Sequence, residues 1–128
     1  MIRKISSGTT WEPVVGYSRA VAAGDFVFVS GCTSVDGAEF VHDGDAYGQT
    51  AQALRNVSGA LAQLGLGLAD VVRTRIYVTD IAGWEAVGRA HGEFFGGICP
   101  VTTMVQVSAL IDPAMLVEIE AEAIVSDA

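Results

Sequence analysis

Between Val117 and Ala123 the chain reads VEIEAEA, so that Glu118, Glu120 and Glu122 alternate strictly with Val117, Ile119, Ala121 and Ala123. Strand side chains point alternately to opposite faces, which gives this segment one apolar face and one acidic face. The apolar face requires a core. The acidic face requires partners, water or a use, because like charges in a row are costly without them. Any fold of this chain must therefore contain a sheet whose two faces meet different surroundings.

A second segment makes the same demand with the opposite charge. Val71 to Thr79, VVRTRIYVT, sets Val72, Thr74, Ile76 and Val78 against Arg73, Arg75, Tyr77 and Thr79. If the two strands are neighbours, Arg73 and Arg75 can pair with Glu118, Glu120 or Glu122. Further strands are expected over Ile2–Ser6, Tyr17–Ala22 and Phe26–Ser30, the last aromatic and β-branched and followed by Gly31. Asp36-Gly37 and His42-Asp43-Gly44-Asp45 mark turns and an exposed acidic loop. Thr50, Ala53, Leu54, Val57, Leu61 and Leu64 recur at helical spacing, predicting a helix from Ala46 to Leu64 capped by Asp45 and ended by Gly65 and Gly67.

A second helix is predicted from Ile81 to Phe95, capped by Asp80, with Trp84, Val87, His91 and Phe94 in one stripe. His91 in that stripe reads as a hydrogen-bonded packing residue. After Gly96-Gly97 and Pro100, strands Val101–Ile111 and Met115–Val125 are joined by a turn at Asp112-Pro113. In the first of these, Val101, Thr103, Val105, Val107 and Ala109 oppose Thr102, Met104, Gln106 and Ser108. The order βββαβαββ describes an α+β single domain over residues 1–128, a mixed six-stranded sheet with two helices on one face.

Two helices leave the other sheet face bare, and composition indicates its cover. The chain is 51% hydrophobic and 17% charged, which predicts self-association over that face. No apolar run reaches the roughly 18 residues of a membrane span and no charged-then-apolar leader opens the chain, so a cytoplasmic protein is expected. Seven Lys and Arg against fifteen Asp and Glu give a net charge of −8 without a basic stripe, which argues against nucleic acid. Cys32 and Cys99 fit neither a metal spacing nor a disulfide framework, and His42 and His91 are far apart; no metal and no cofactor are expected.

The segments GYSRAV, FVFVSG, DVVRTRIYVTD, GEFFGGICP and LVEIEAEA together make the chain resemble the RidA/YjgF family over nearly its whole length. The resemblance implies a chorismate-mutase-like fold, a homotrimer, and hydrolysis of reactive imines and enamines such as 2-aminoacrylate in clefts between subunits. It places Glu120 at the water-orienting glutamate, Tyr17 in the cleft lining, and Ser30 with Gly31 at the strand end beside the ligand, with Cys32 bordering it. The family's carboxylate-binding arginine falls on Thr102, its helix asparagine on Gly88 and its neighbouring cysteine on Met104.

An arginine–carboxylate bond in a partly desolvated cleft contributes on the order of 1.5–3 kcal/mol. Its absence argues against the usual 2-aminoacrylate activity and for a ligand of another shape or charge, contacted by the Thr102 and Thr103 hydroxyls and the Met104 side chain. Arg75 or Arg19 is the candidate replacement cation. Two readings follow: an imine or enamine hydrolase with Glu120 orienting water, or a non-catalytic ligand-binding or chaperone-like trimer in which the glutamates serve the arginine strand. Ribonuclease activity, also associated with the family, is disfavoured by the acidic charge.

Overall fold

The computed structural model describes residues 2–125. Strands β1 (Ile2–Ile5), β2 (Ala20–Ala23), β3 (Phe26–Cys32), β6 (Val71–Val78), β7 (Val101–Gln106) and β8 (Val117–Ile124) form one sheet in the order β1-β2-β3-β8-β6-β7. A two-stranded hairpin, β4 (Val35–Asp36) with β5 (Glu39–Phe40), leads into helix α1 (Ala46–Ala62); α2 (Trp84–Phe95) connects β6 to β7. Only β6 and β7 run parallel, which is what a helical crossover between them requires. The mixed sheet and the two main helices bear out the α+β reading. Among the described residues no helix is long and apolar enough to cross a membrane.

Both caps expected from sequence are present. The Asp45 carboxylate accepts from Gly48 N at 2.9 Å, and Asp80 accepts from Ala82 N at 3.0 Å, opening a short 3-10 turn (Ile81–Gly83) that runs into α2. Leu54, Val57 and Leu61 of α1 and Val87 and Phe95 of α2 bury against Val27, Val29, Ile76, Val78, Val117, Ile119 and Ala121, so the core lies between the helices and one sheet face.

Four expectations need correction. Val71, not Val72, is buried, because a bulge lets the pairing with β8 pass from Val71↔Ala123 to Arg73↔Glu122 and turns Val72 outward. Trp84 is 54% exposed, since α2 rolls so that Val87, Ala90 and Phe95 carry its buried side. The second strand begins at Ala20 because residues 12–16 wind into a wide helical turn closed by Tyr17 N donating to Glu12 O at 3.0 Å. The strand expected to reach Ile111 stops at Gln106, opposite the last residue of β6.

Gln49 is a core polar residue that periodicity did not select. It is fully buried, donates from Nε2 to His42 O and Ala114 O at 3.1 Å each, and accepts from Leu116 N at 2.8 Å. One side chain thus ties α1 to the loop before it and to the entrance of β8. Gln49→Leu strands three backbone groups and should cost about 2 kcal/mol in urea unfolding. A loss below a few tenths would show that water takes over all three.

Candidate active site

The open sheet face, away from the helices, carries the charged ladder. Glu122 lies opposite Arg73, Glu120 opposite Arg75 and Glu118 opposite Tyr77. Arg75 Nη1 donates to Glu122 Oε1 at 2.7 Å and stands 3.9 Å from Glu120, Arg73 Nε is 3.8 Å from Glu122, and Tyr77 donates its hydroxyl to Glu120. That bond to the carboxylate, ahead of desolvation, raises the Tyr77 pKa. Glu122 and Glu120 are therefore the members tied to the arginine strand. Glu118 has no arginine or lysine within 4 Å among the described residues. Apolar side chains flank the ladder: Phe26, Phe28 and Ile124 on one side, Val72, Val101 and Val105 on the other, all exposed.

The Glu118 side chain turns from the arginines toward β3. Pairing between β3 and β8 passes from Val29↔Ala121 to Cys32↔Ile119, so Ser30 and Gly31 bulge against the single residue Glu120, and the neighbouring Glu118 side chain reaches over to Gly31. Bulges of this kind are common next to active sites because they re-aim side chains. A Cβ on Gly31 would overlap the Glu118 carboxylate and stand 2.9 Å from its Cγ, so only glycine lets this acid fold over the strand. Burial pushes the Glu118 pKa up; Arg19 pulls it down and Glu120 adds to the rise.

Around this corner opens a cavity of about 710 Å³ lined by Tyr17, Arg19, Ser30, Gly31, Cys32 and Glu118, and continuing to Trp11 and the exposed side of α1. A shallower pocket of about 270 Å³ shares Gly31 and Glu118 and adds Tyr77 and Glu120. The structure thus assembles Tyr17, Ser30, Gly31 and Cys32 with Glu118, sets Glu120 beside Gly31 in the shallower pocket, and leaves Arg75 further along the open face. Thr103 lies beside Arg75 on β7. Thr102 and Met104 take the other face: Thr102 Oγ1 bonds Thr74 Oγ1 at 2.8 Å, Thr74 bonds His91 Nε2 at 2.9 Å, and Met104 packs against the core. His91 is the packing histidine expected, with its pKa lowered by burial. Within one chain, β7 and β3 are three strand spacings apart, roughly 14 Å.

Arg19 does enter the cavity wall, but it is fully engaged. Its Nη1 donates to Gly31 O at 2.6 Å, Ser30 O at 3.2 Å and Cys32 Sγ at 3.6 Å, its Nε donates to Ser7 Oγ at 3.2 Å, and Nη2 faces Glu12 at 3.9 Å. Glu12 is a residue that sequence reasoning missed. It is 4% exposed and accepts from the hydroxyls of Ser6, Ser7 and Thr9. Burial acts to raise its pKa, but these bonds with that of Ser7 N outweigh it and hold the value at about 2. Its signal was a lone carboxylate just after two serines and two threonines, ahead of a proline. The Cys32 thiol is buried and pushed up to about 11, chiefly by desolvation, with Arg19 opposing, which rules against a thiolate nucleophile. Among the described residues no cluster of three metal-ligating side chains occurs.

Comparison with known proteins gives this geometry a family. The family described as Endoribonuclease L-PSP matches residues 8–125. The chain belongs to the RidA/YjgF family. An uncharacterised protein of Streptomyces coelicolor is 43% identical over 122 residues, covering 95% of this chain and 91% of its own. A 3-aminoacrylate deaminase, RutC, of Acinetobacter baylyi is 34% identical over 111 residues, covering 86% and 87%. The crystal structure of a Mycobacterium tuberculosis member of the YjgF/YER057c/UK114 family superposes with a TM-score of 0.91 at 53% identity, covering 98% of this chain and 100% of that one.

Proposed function

We propose that this RidA-family chain hydrolyses an imine or enamine at the Gly31 corner, with Glu118 as the proton carrier. The observation that carries the reading is the half-buried Glu118 carboxyl folded over the glycine bulge inside a cavity, with its pKa raised. A carboxyl whose pKa is raised by burial holds a proton more readily than an exposed one and can both give and take it. For an enamine, the carboxylic acid first protonates the β-carbon to give the protonated imine, leaving the Glu118 carboxylate. A water oxygen then adds to the imine carbon while one of its protons passes to the Glu118 carboxylate. The acid proton goes on to nitrogen, and the carbinolamine collapses to a carbonyl compound and ammonia as its hydroxyl proton returns to the Glu118 carboxylate, which restores the acid. Tyr17 and Ser30 flank the ligand, Cys32 lends only apolar wall, and no cofactor enters.

The reading takes up Glu120, the residue matched from sequence, as a neighbour that tunes Glu118 through its charge. The apolar-flanked ladder supports a homotrimer, in which Thr103 and Arg75, on the open face, reach a neighbour's cleft, whereas Thr102 and Met104, turned to the helix layer, act only as support for that strand. A reducing, cytoplasmic setting suits two free thiols, Cys32 and Cys99. The ribonuclease description attached to the family finds no support in a chain of net charge −8.

The test is release of carbonyl product and ammonia from imines formed in place, carboxylated and neutral, by wild type, Glu118→Gln and Glu120→Gln. Turnover lost in the first variant and kept in the second is expected. No turnover above buffer with either class, or an unimpaired Glu118→Gln, would sink the assignment. In that case the non-catalytic binding reading takes its place.

A further inference from the structure

The 710 Å³ cavity is larger than the Gly31 corner needs, being of the size that holds drug-sized ligands. Its far wall is one stripe of α1. Arg55, Gly59 and Gln63 follow each other at spacing four, so they share a helix face, and all three line the cavity, as does Trp11. Arg55 donates Nε and Nη2 to Gln52 Oε1 at 3.3 and 3.1 Å, and among the described residues no carboxylate stands within 4 Å of it. Arg19, the other cation on the wall, is already spent on Glu12 and two backbone carbonyls. Gly59 sits inside a helix, where glycine is a poor choice, with nothing within 4 Å of where its Cβ would stand. Asn56 makes the wall rigid, donating Nδ2 to Thr33 O at 3.0 Å and Val35 O at 2.7 Å.

We propose that the distal half of the cavity, between Trp11 and the Arg55–Gly59–Gln63 stripe, is a subsite for a carboxylate carried on the ligand at a distance from its reacting carbon. Of the two cations on the cavity wall Arg55 is the one without a carboxylate partner, and its unused Nη1 donors can take a carboxylate. The gap at Gly59 admits the chain that leads to it, and Trp11 covers that chain. The substrate class is then an imine or enamine with a remote acidic tail. This rests on the hydrolase reading for the reacting end, while the subsite itself is a matter of binding.

The test uses a matched pair of ketones, the product class of imine hydrolysis, measured by titration calorimetry on the full chain: 5-oxohexanoate and its neutral methyl ester. Wild type should bind the acid about five- to tenfold more tightly. Arg55→Gln should remove that preference, and Arg55→Lys should restore part of it. Gly59→Leu, which improves the helix, should keep or raise Tm while weakening both ligands about tenfold. Equal affinities in wild type, no binding of either ketone, a preference that survives Arg55→Gln, or unchanged binding by Gly59→Leu would each overturn the subsite. A preference with no turnover leaves the subsite standing and removes the hydrolase. Turnover with no preference does the reverse.

Discussion

Glu118→Gln is expected to lower kcat/KM for imine hydrolysis by about 100- to 10,000-fold, the range lost when a positioned acid–base group is removed. The amide keeps the shape of the side chain over Gly31 and can still hydrogen-bond, but it can neither take a proton from water nor give one to nitrogen. Glu120→Gln should cost less than about tenfold, because Glu120 acts on the site only through its charge. The two variants also differ in pH dependence. The ionised form of Glu118 is the base, so the rate should fall as pH drops through a pKa lying above the ordinary 4.5. Glu120→Gln removes one of the charges that raise that pKa, so the acid limb should move to lower pH. A limb that stays in place, measured on kcat/KM, would mean that the titrating group is not Glu118.

The largest stability loss is expected at Glu12. Its pKa is about 2 in the folded chain against an ordinary 4.5. At about 1.4 kcal/mol per pH unit, a lowering of this size corresponds to about 3 kcal/mol. For a carboxyl whose folded pKa is depressed, that stability is present above pH 4.5. It is lost progressively as pH falls from there toward 2. Glu12→Ala should therefore destabilise the chain by about 3 kcal/mol in urea at neutral pH, leaving Arg19 without its carboxylate and three hydroxyls without their acceptor. The gap between wild type and variant should close below about pH 3. A gap of less than 1 kcal/mol at pH 7, or one that persists into acid, would show that Glu12 is not the acid-sensitive support of this corner.

Much of the frame was legible in the amino-acid order because its rules are local. Period-two alternation marked β6 and β8, helical spacing and aspartate caps marked α1 and α2, and the excess of apolar residues foretold an uncovered sheet face. What escaped depends on registration between segments distant in sequence. All three glutamates of β8 share a face by alternation, yet only pairing with β3 shows that the Ser30–Gly31 bulge stands across from Glu120 while the Glu118 side chain folds over Gly31. The bulge at Val72 is likewise a property of two strands. Gln49 and Glu12 escaped because polar residues carry no hydrophobic period; each is buried through hydrogen bonds whose partners the fold supplies. Thr102, by contrast, was placed correctly on the strand after Pro100, but its hydroxyl is turned toward Thr74 and the helix layer.

The strand order has a consequence for how the molecule comes into being. β8 lies between β3 and β6, in the middle of the sheet, although it is made after every other strand described. Until it arrives, β1 to β3 and β6 with β7 are two separate ribbons with unpaired inner edges and no common core. Pairing across such sequence distances is slow, and open edges on a waiting chain invite other chains to add. Synthesis therefore leaves a half-built sheet exposed until its last strand slots in, and a chain cut short before Val117 should collect in aggregates rather than as a smaller folded protein.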